Sequence, residues 1–426
     1  MKTGGEAFVL ASSVASRIRD ATAAWGTLKL VFSEPDHLIG ITGAGERTDS
    51  MYDTGRTDLK GTVLARGDEY GAAGLWYRSQ PELHECHAWF RRTGSAMPTD
   101  LFRALIVDGW RQPPASGATP VITHAREAER EWAAWSVSRD RVAPAMLTIL
   151  WPDDADPLAG LPPAWPLADL RSASVAVVGV GSIGSAVANA LAMYGIGAIF
   201  LVDDDRLLWH NLSRHQGTRA DIGRYKVDAV ADVMASRWPA TVVEPLRLNV
   251  ISDADKMRPL FDHCQVIVCA ADGVAPRRVV SHLARRADKT AVLACVLLDG
   301  AIGEVLRLRP WPGYGCLLCQ RQQLIEQGGI DPEPDLDMGY GVGDSHRPMT
   351  AVGSDLAIVG QCAAKLAVAT VLEVAGHYDQ VITGEYAIVG LRRDVSAAPP
   401  YDVEPGQVRW LPAAPQREGC PTCGAS

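Results

Sequence analysis

Positive charge is in short supply in this 426-residue chain: 41 lysines and arginines stand against 50 aspartates and glutamates, a formal net charge of −9. That balance excludes a protein that holds nucleic acid or an anionic membrane by bulk electrostatics. Lysine is the scarcer cation, seven against 34 arginines, so each lysine inside a motif is the more informative. No stretch reads as a membrane span. The most apolar one, residues 355–377, carries Gln361, Lys365 and Glu373 within the length a bilayer needs and is expected to be a buried helix. The opening residues do not read as a cleavable signal, because Arg17, Arg19 and Asp20 interrupt them at helical spacing. No internal repeat is present. These absences point to a reducing cytoplasm, where the nine cysteines are read as metal ligands or packing residues before disulfides.

What is there is ordinary globular composition, 47% hydrophobic and 21% charged, at about twice the length of a single domain. Residues 151–170 hold Pro152, Pro157, Pro162, Pro163 and Pro166, a density that reads as a semi-rigid linker. It would separate an N-terminal domain, 1–150, from a C-terminal domain, 171–426. In the second, apolar runs bounded by glycine alternate with helical stretches: strands at 174–179, 198–205, 241–250, 264–272 and 290–298, helices at 182–195, 228–238 and 274–288. This alternation predicts an α/β fold, a Rossmann-like doubly wound and mainly parallel sheet. The N-terminal domain is expected to be α+β, with helices at 7–24 and 124–138 and strand-like pieces at 28–32, 38–42 and 61–66.

Chemistry concentrates after the first C-terminal strand. Gly179, Gly181 and Gly184 form G-x-G-x-x-G between strand and helix, the spacing that allows a tight turn, phosphate approach and helix–strand packing. Asp203 ends the next strand, placed for a ribose hydroxyl. Asn211, Arg214 and Lys226 follow, three side chains suited to a polyphosphate. Asp272 ends a later strand, where a carboxylate would hold Mg²⁺ against phosphates. A dinucleotide needs no such supply of cations, whereas a triphosphate attacked at its α-phosphorus does. Cys316-Leu-Leu-Cys319 and Cys420-Pro-Thr-Cys423 are two C-x-x-C pairs about a hundred residues apart, matching a structural Cys₄ zinc site.

Taken in order, this series resembles the ubiquitin-activating (ThiF/MoeB-type) adenylyltransferase family. Its glycine loop, L-x-D-x-D, N-L-x-R, G-x-x-K, strand-end Asp and paired C-x-x-C stand here as Gly179/Gly181/Gly184, Asp203 and Asp205, Asn211–Arg214, Gly223–Lys226, Asp272 and the four cysteines, across roughly residues 166–426. The resemblance implies ATP-dependent conversion of a carboxylate to an acyl-adenylate with release of pyrophosphate. The substrate would be the C-terminus of a ubiquitin-like or sulfur-carrier protein, or of a peptide. It also implies a homodimer whose partner completes each site with an arginine, and residues 355–375 are apolar enough to serve at that interface. Two other readings stay open: an NAD-dependent oxidoreductase, and a catalytically silent homologue that only binds a carrier protein.

Many members of that family use a cysteine in the loop that here spans 320–350, and this loop has none. Cys295 and Cys362 are the remaining thioester candidates. Adenylation itself needs no nucleophilic side chain, because the substrate carboxylate attacks. In the N-terminal domain, His84, His87, Ser95 and Asp100, with Glu34 upstream, are faintly similar to the ligand set of JAMM-type (MPN) metalloproteases, with altered spacing. The alternative is a pair of half-exposed histidines in a domain that recognises a peptide or carrier protein.

Overall fold

In the computed structural model, residues 7–47, 62–66, 68–150, 156–162, 164–327 and 351–423 are described, and the chain divides into two units, 1–155 and 156–426.

The N-terminal unit runs β1 (Ala7–Ala11), α1 (Ser12–Asp20), β2 (Trp25–Ser33), β3 (Leu38–Glu46), β4 (Asp68–Arg78), α2 (Pro81–Thr93), β5 (Met97–Pro98), α3 (Thr99–Leu105), β6 (Thr119–His124), β7 (Trp132–Val137) and β8 (Arg141–Leu150). Its strands lie in the order β1-β3-β2-β4-β6-β7-β8-β5, and β8 also pairs with β1, closing the sheet on itself. Successive residues face opposite sides of a strand. Trp76 therefore joins Phe8, Leu10, Val14 and Ile41 in one core, while Tyr77 joins Leu83, Phe102 and Trp135 in another.

Two expected helices are corrected. Residues 7–11 form a strand held between β3 and β8, and the helix begins only at Ser12. The segment 124–138 is not a helix: β7 pairs with β6 on one side and β8 on the other. Its alanines favour helix weakly, and ladder bonds on both edges outweigh that preference. The strand-like piece at 61–66 is a 3₁₀ turn over Val63–Arg66, with residue 61 outside the described residues.

The C-terminal unit contains α4 (Leu167–Ser172), β9 (Ser174–Val178), α5 (Ser182–Tyr194), β10 (Ala198–Val202), α6 (Lys226–Arg237), β11 (Val242–Leu246), α7 (Ala254–His263), β12 (Val266–Cys269), α8 (Val274–Arg286), β13 (Thr290–Leu297), β14 (Ile302–Leu308), α9 (Leu317–Glu326), α10 (Gly353–Val374), β15 (Tyr386–Gly390) and β16 (Val408–Leu411). The sheet order is β11-β10-β9-β12-β13-β14-β15-β16. The first five strands are parallel and the last three antiparallel, so the Rossmann-like α/β reading holds with an antiparallel extension. Helix α10 is long and apolar enough to cross a membrane by length and composition, yet 61% of its most apolar window is buried in the protein. It packs on α5, and a Cβ at Gly360 would lie 2.9 Å from that of Ala186. Burial within the unit thus accounts for most of the apolarity expected to serve a dimer.

Beneath β14 lies a buried charged group. Glu304 accepts hydrogen bonds from Arg321 at 2.6 and 2.7 Å and from the Tyr386 hydroxyl at 2.7 Å. Burial works to raise its carboxyl, but Arg321 and these bonds hold it at about 2. A folded value below the ordinary one means stability that is complete above about pH 4.5 and lost as pH falls toward 2, of order 3 kcal/mol. Thermal unfolding followed from about pH 5 to about pH 3 is therefore expected to vary less steeply in Glu304→Gln than in the wild type. Identical slopes would remove Glu304 from the acid response.

Candidate active site

The chain lays β10 and β11 on one side of β9, then crosses over to place β12 and β13 on the other. The carboxyl ends of β9 and β12 bound the crevice that such a reversal opens, where parallel α/β sheets bind ligands. Gly179 leaves β9 at φ +83°, and a Cβ there would lie 2.4 Å from the Ala271 nitrogen. Its missing side chain lets the loop touch the turn that carries Asp272. A Cβ at Gly184 would lie 1.8 Å from the Gly179 carbonyl oxygen, so this glycine admits α5 to the loop. Gly181 has nothing within 4 Å of its Cβ position, leaving the backbone open to an anion at the start of α5.

Asp203 does more than wait for a ribose. Its Oδ2 accepts the Val180 N–H at 2.7 Å and its Oδ1 accepts the Asp205 N–H at 2.8 Å, tying β10 to the glycine loop. Desolvation raises this carboxyl, opposed by the Lys226 charge and the two amides. Lys226 opens α6 and reaches Asp205 at 2.6 Å. Burial would lower its ammonium, but Asp203, Asp205 and Asp272 together hold it above the ordinary lysine range. Asn211 caps its own turn, its Oδ1 accepting the Leu208 N–H at 2.8 Å, which leaves the amide nitrogen as a donor. Asp272 is exposed at the crevice surface but ringed by protein. Partial desolvation raises its carboxyl, and Lys226, Arg214 and Arg277 pull it back down. Lys226, Arg214 and Asp272 thus share one electrostatic site.

Two residues that spacing did not reveal support this site. His215, immediately after Arg214, bonds the Val180 carbonyl at 2.8 Å. Arg277 donates to the Gly273 carbonyl at 2.9 Å and to Cys295 Sγ at 3.0 Å. The only sequence signal for either was proximity, His215 to Arg214 and Arg277 to Asp272.

The four C-x-x-C cysteines converge. Sγ separations are 3.9 Å for Cys316–Cys319, 3.5 Å for Cys316–Cys420 and 3.6 Å for Cys319–Cys423. A tetrahedral zinc with four thiolates at about 2.3 Å sets its sulfurs about 3.8 Å apart, so the donors fit. Among the described residues, the other group able to hold a cation is Asp203, Asp204 and Asp205.

Burial works against Cys295 and Cys362, the two thioester candidates. Cys295 is enclosed by Arg277 and Glu304, and burial pushes its thiol up to about 12; burial also raises Cys362 on α10. A thiol held neutral is a poor nucleophile. The loop expected at 320–350 begins inside α9, and residues 328–350 lie outside the described residues.

His84 and His87 are corrected. Neither is half-exposed: they are 4% and 6% exposed on α2. His84 Nδ1 donates to the Arg130 carbonyl at 2.5 Å and its Nε2 faces Thr123 Oγ1 at 3.0 Å, while His87 Nε2 donates to the Ala134 and Ala145 carbonyls at 3.0 and 3.1 Å. Burial lowers both, His87 to about 4. Among the described residues they form no metal-ligating group with Glu34 or Asp100. Their ring nitrogens knit α2 to the sheet.

The model of the ThiF family matches residues 158–393. The chain is 27% identical over 271 residues to the adenylyltransferase and sulfurtransferase uba4 of Aspergillus clavatus, covering 60% of this chain and 48% of that protein. It is 28% identical over 150 residues to the molybdopterin-synthase adenylyltransferase of Escherichia coli, covering 35% of this chain and 59% of that protein. The chain therefore spans about half the length of these curated relatives. A crystal structure of E. coli MccB with ATP aligns with 62% of this chain and 70% of that one, at TM-score 0.46 and 19% identity. Because the matched span takes in the whole crevice from Gly179 to Asp272 and more than half of the sequence, the chain belongs to the ThiF family.

Proposed function

We infer that the C-terminal unit activates a carboxylate with ATP, giving an acyl-adenylate and pyrophosphate. The observation that carries this reading is the meeting of two cations, Lys226 and Arg214, with the carboxylate of Asp272 beside an open glycine loop. In the reaction a substrate carboxylate oxygen forms a bond to the α-phosphorus while the bond from that phosphorus to the bridging oxygen breaks. Negative charge grows on the departing pyrophosphate, and Arg214, Lys226 and the Asn211 amide would meet it there. Asp203 would take a ribose hydroxyl on a remaining lone pair, with Asp205 releasing Lys226 to the phosphates. Mg²⁺ held by Asp272 would neutralise phosphate charge. Nicotinamide chemistry is less favoured, since a dinucleotide has no use for this concentration of cations.

The names of the relatives, an adenylyltransferase and sulfurtransferase and a molybdopterin-synthase adenylyltransferase, support adenylation, and we take the acyl substrate to be the C-terminus of a ubiquitin-like or sulfur-carrier protein, or of a peptide. The N-terminal unit, with Trp89 half exposed on α2, is our candidate for recognising it. Zinc at the four cysteines is structural in this reading, and the active species is a homodimer.

The test is isotope exchange between labelled pyrophosphate and ATP, in the presence of Mg²⁺ and small proteins or peptides ending in glycine. Exchange that requires both Mg²⁺ and the acyl partner is expected, with no effect of nicotinamide dinucleotides. Tight NADH binding without exchange would favour the oxidoreductase. ATP binding without exchange would favour the silent homologue.

A further inference from the structure

Val180 sits between the first two glycines of the loop and is gripped from two directions. Its N–H is held by Asp203, and its carbonyl oxygen by His215 Nε2 at 2.8 Å. The His215 ring is 9% exposed, and its Nδ1 accepts the Gly217 N–H at 2.9 Å. That second bond settles the tautomer: Nδ1 is the acceptor, so the proton stays on Nε2 and points at Val180. Position 217 is shaped for the contact, because a Cβ there would lie 3.1 Å from Nδ1 and 2.7 Å from Leu207. The ring belongs to the residue next to Arg214. One side chain therefore joins the loop that would cradle phosphate to the segment that carries a phosphate cation.

We propose that His215 is a positioning residue for the nucleotide, clamping the Gly179–Gly184 loop to the Asn211–Arg214 segment so that loop amides and the Arg214 guanidinium address one polyphosphate. This rests on the nucleotide reading above. An anion gripped from two sides is bound well only if the sides keep their spacing before it arrives, so the clamp removes a reorganisation cost from binding. Burial lowers the imidazole and keeps it neutral, preserving the Nδ1 acceptor.

Three variants of the full chain separate this role from bulk packing. In His215→Gln the amide nitrogen takes the place of Nε2 and can rejoin Val180. In His215→Asn the amide oxygen takes the place of Nδ1 and can rejoin only Gly217. His215→Ala loses both. Two measurements are needed: hydrogen exchange at the amides of residues 180–185 without nucleotide, and the affinity for ATP with Mg²⁺ by titration calorimetry. His215→Ala is expected to speed exchange in the loop and weaken ATP about tenfold, the equivalent of one hydrogen bond between shielded groups. The glutamine variant should recover most of both losses and the asparagine variant neither. Indistinguishable glutamine and asparagine variants, or an alanine variant with unchanged loop exchange, would overturn the assignment, as would affinity losses that merely follow Tm. If the wild type binds no ATP, the nucleotide reading fails, and with it His215 as a nucleotide-positioning residue. Loop exchange would then still show separately whether the clamp exists.

Discussion

Replacing Cys316 by serine is expected to strip bound zinc and lower the stability of the C-terminal unit in the same step, by several kcal/mol. Two of the four sulfurs come from the start of α9 and two from the last residues of the chain, and Cys316, Cys319 and Cys420 are buried. The apolar contacts of this corner are few: Ala414 and Leu318 accompany the cysteines in a small satellite cluster. Beyond β16 the tail is otherwise held by a few hydrogen bonds: Gly315 N–H to the Ala414 carbonyl at 2.8 Å, Gln416 N–H to the Gly313 carbonyl at 3.1 Å and Ala414 N–H to Gln320 Oε1 at 3.1 Å. A metal that closes a loop of about a hundred residues contributes binding free energy directly to folding, and losing one of four thiolates forfeits much of it. Metal analysis and thermal unfolding of the same samples check the result. A chelator should reproduce the loss in the wild type, whereas Cys362→Ser should not. Zinc retained at one per chain in Cys316→Ser would falsify the four-thiolate site.

The second large effect is catalytic. Asp272→Ala is expected to reduce ATP–pyrophosphate exchange by about three orders of magnitude or more, the scale seen when a charge-stabilising group is removed from a phosphoryl or acyl transfer site. Asp272 is exposed at the crevice surface, so its loss should leave the fold intact. An inactive protein with a Tm close to that of the wild type is the specific outcome. Asp272→Asn keeps the side-chain volume and hydrogen-bonding capacity and should be equally inactive, because Mg²⁺ needs the charge. Full exchange in either variant would remove Asp272 from the role of Mg²⁺ ligand.

The parallel half of the C-terminal sheet, β9 to β13, could be read from the chain strand for strand, whereas its antiparallel strands β14, β15 and β16 and much of the N-terminal unit could not. The difference is physical. β9, β10, β12 and β13 are buried on both faces and appear as short apolar runs between glycines and helices, a pattern visible within a few residues. β14 escaped notice because it carries Glu304 and Arg307, residue types that ordinarily face water. Here they are 1% and 0% exposed, satisfied by Arg321, Tyr386 and Glu385 from distant parts of the chain. The segment 124–138 misled for a related reason: Trp135 looks helical beside its alanines, but its place opposite Pro144 in β8 and the bond from its Nε1 to Thr123 at 3.0 Å depend on partners outside the window.

The same division runs through the active site. Glycine spacing, the strand-end acids and the paired C-x-x-C motifs are local properties, since backbone geometry over a few residues dictates which side chains can share a turn. They were enough to point to nucleotide chemistry, the α/β fold and a four-sulfur metal site. Which groups share a field is a property of chain crossing. Only the folded sheet puts Lys226 and Asp272 at one crevice, aims His215 at Val180, encloses Cys295 between Arg277 and Glu304, and turns His84 and His87 inward as structural donors. Electrostatic energy and hydrogen bonding depend on distance through space, and the distance along the chain says little about that until the strands have been ordered.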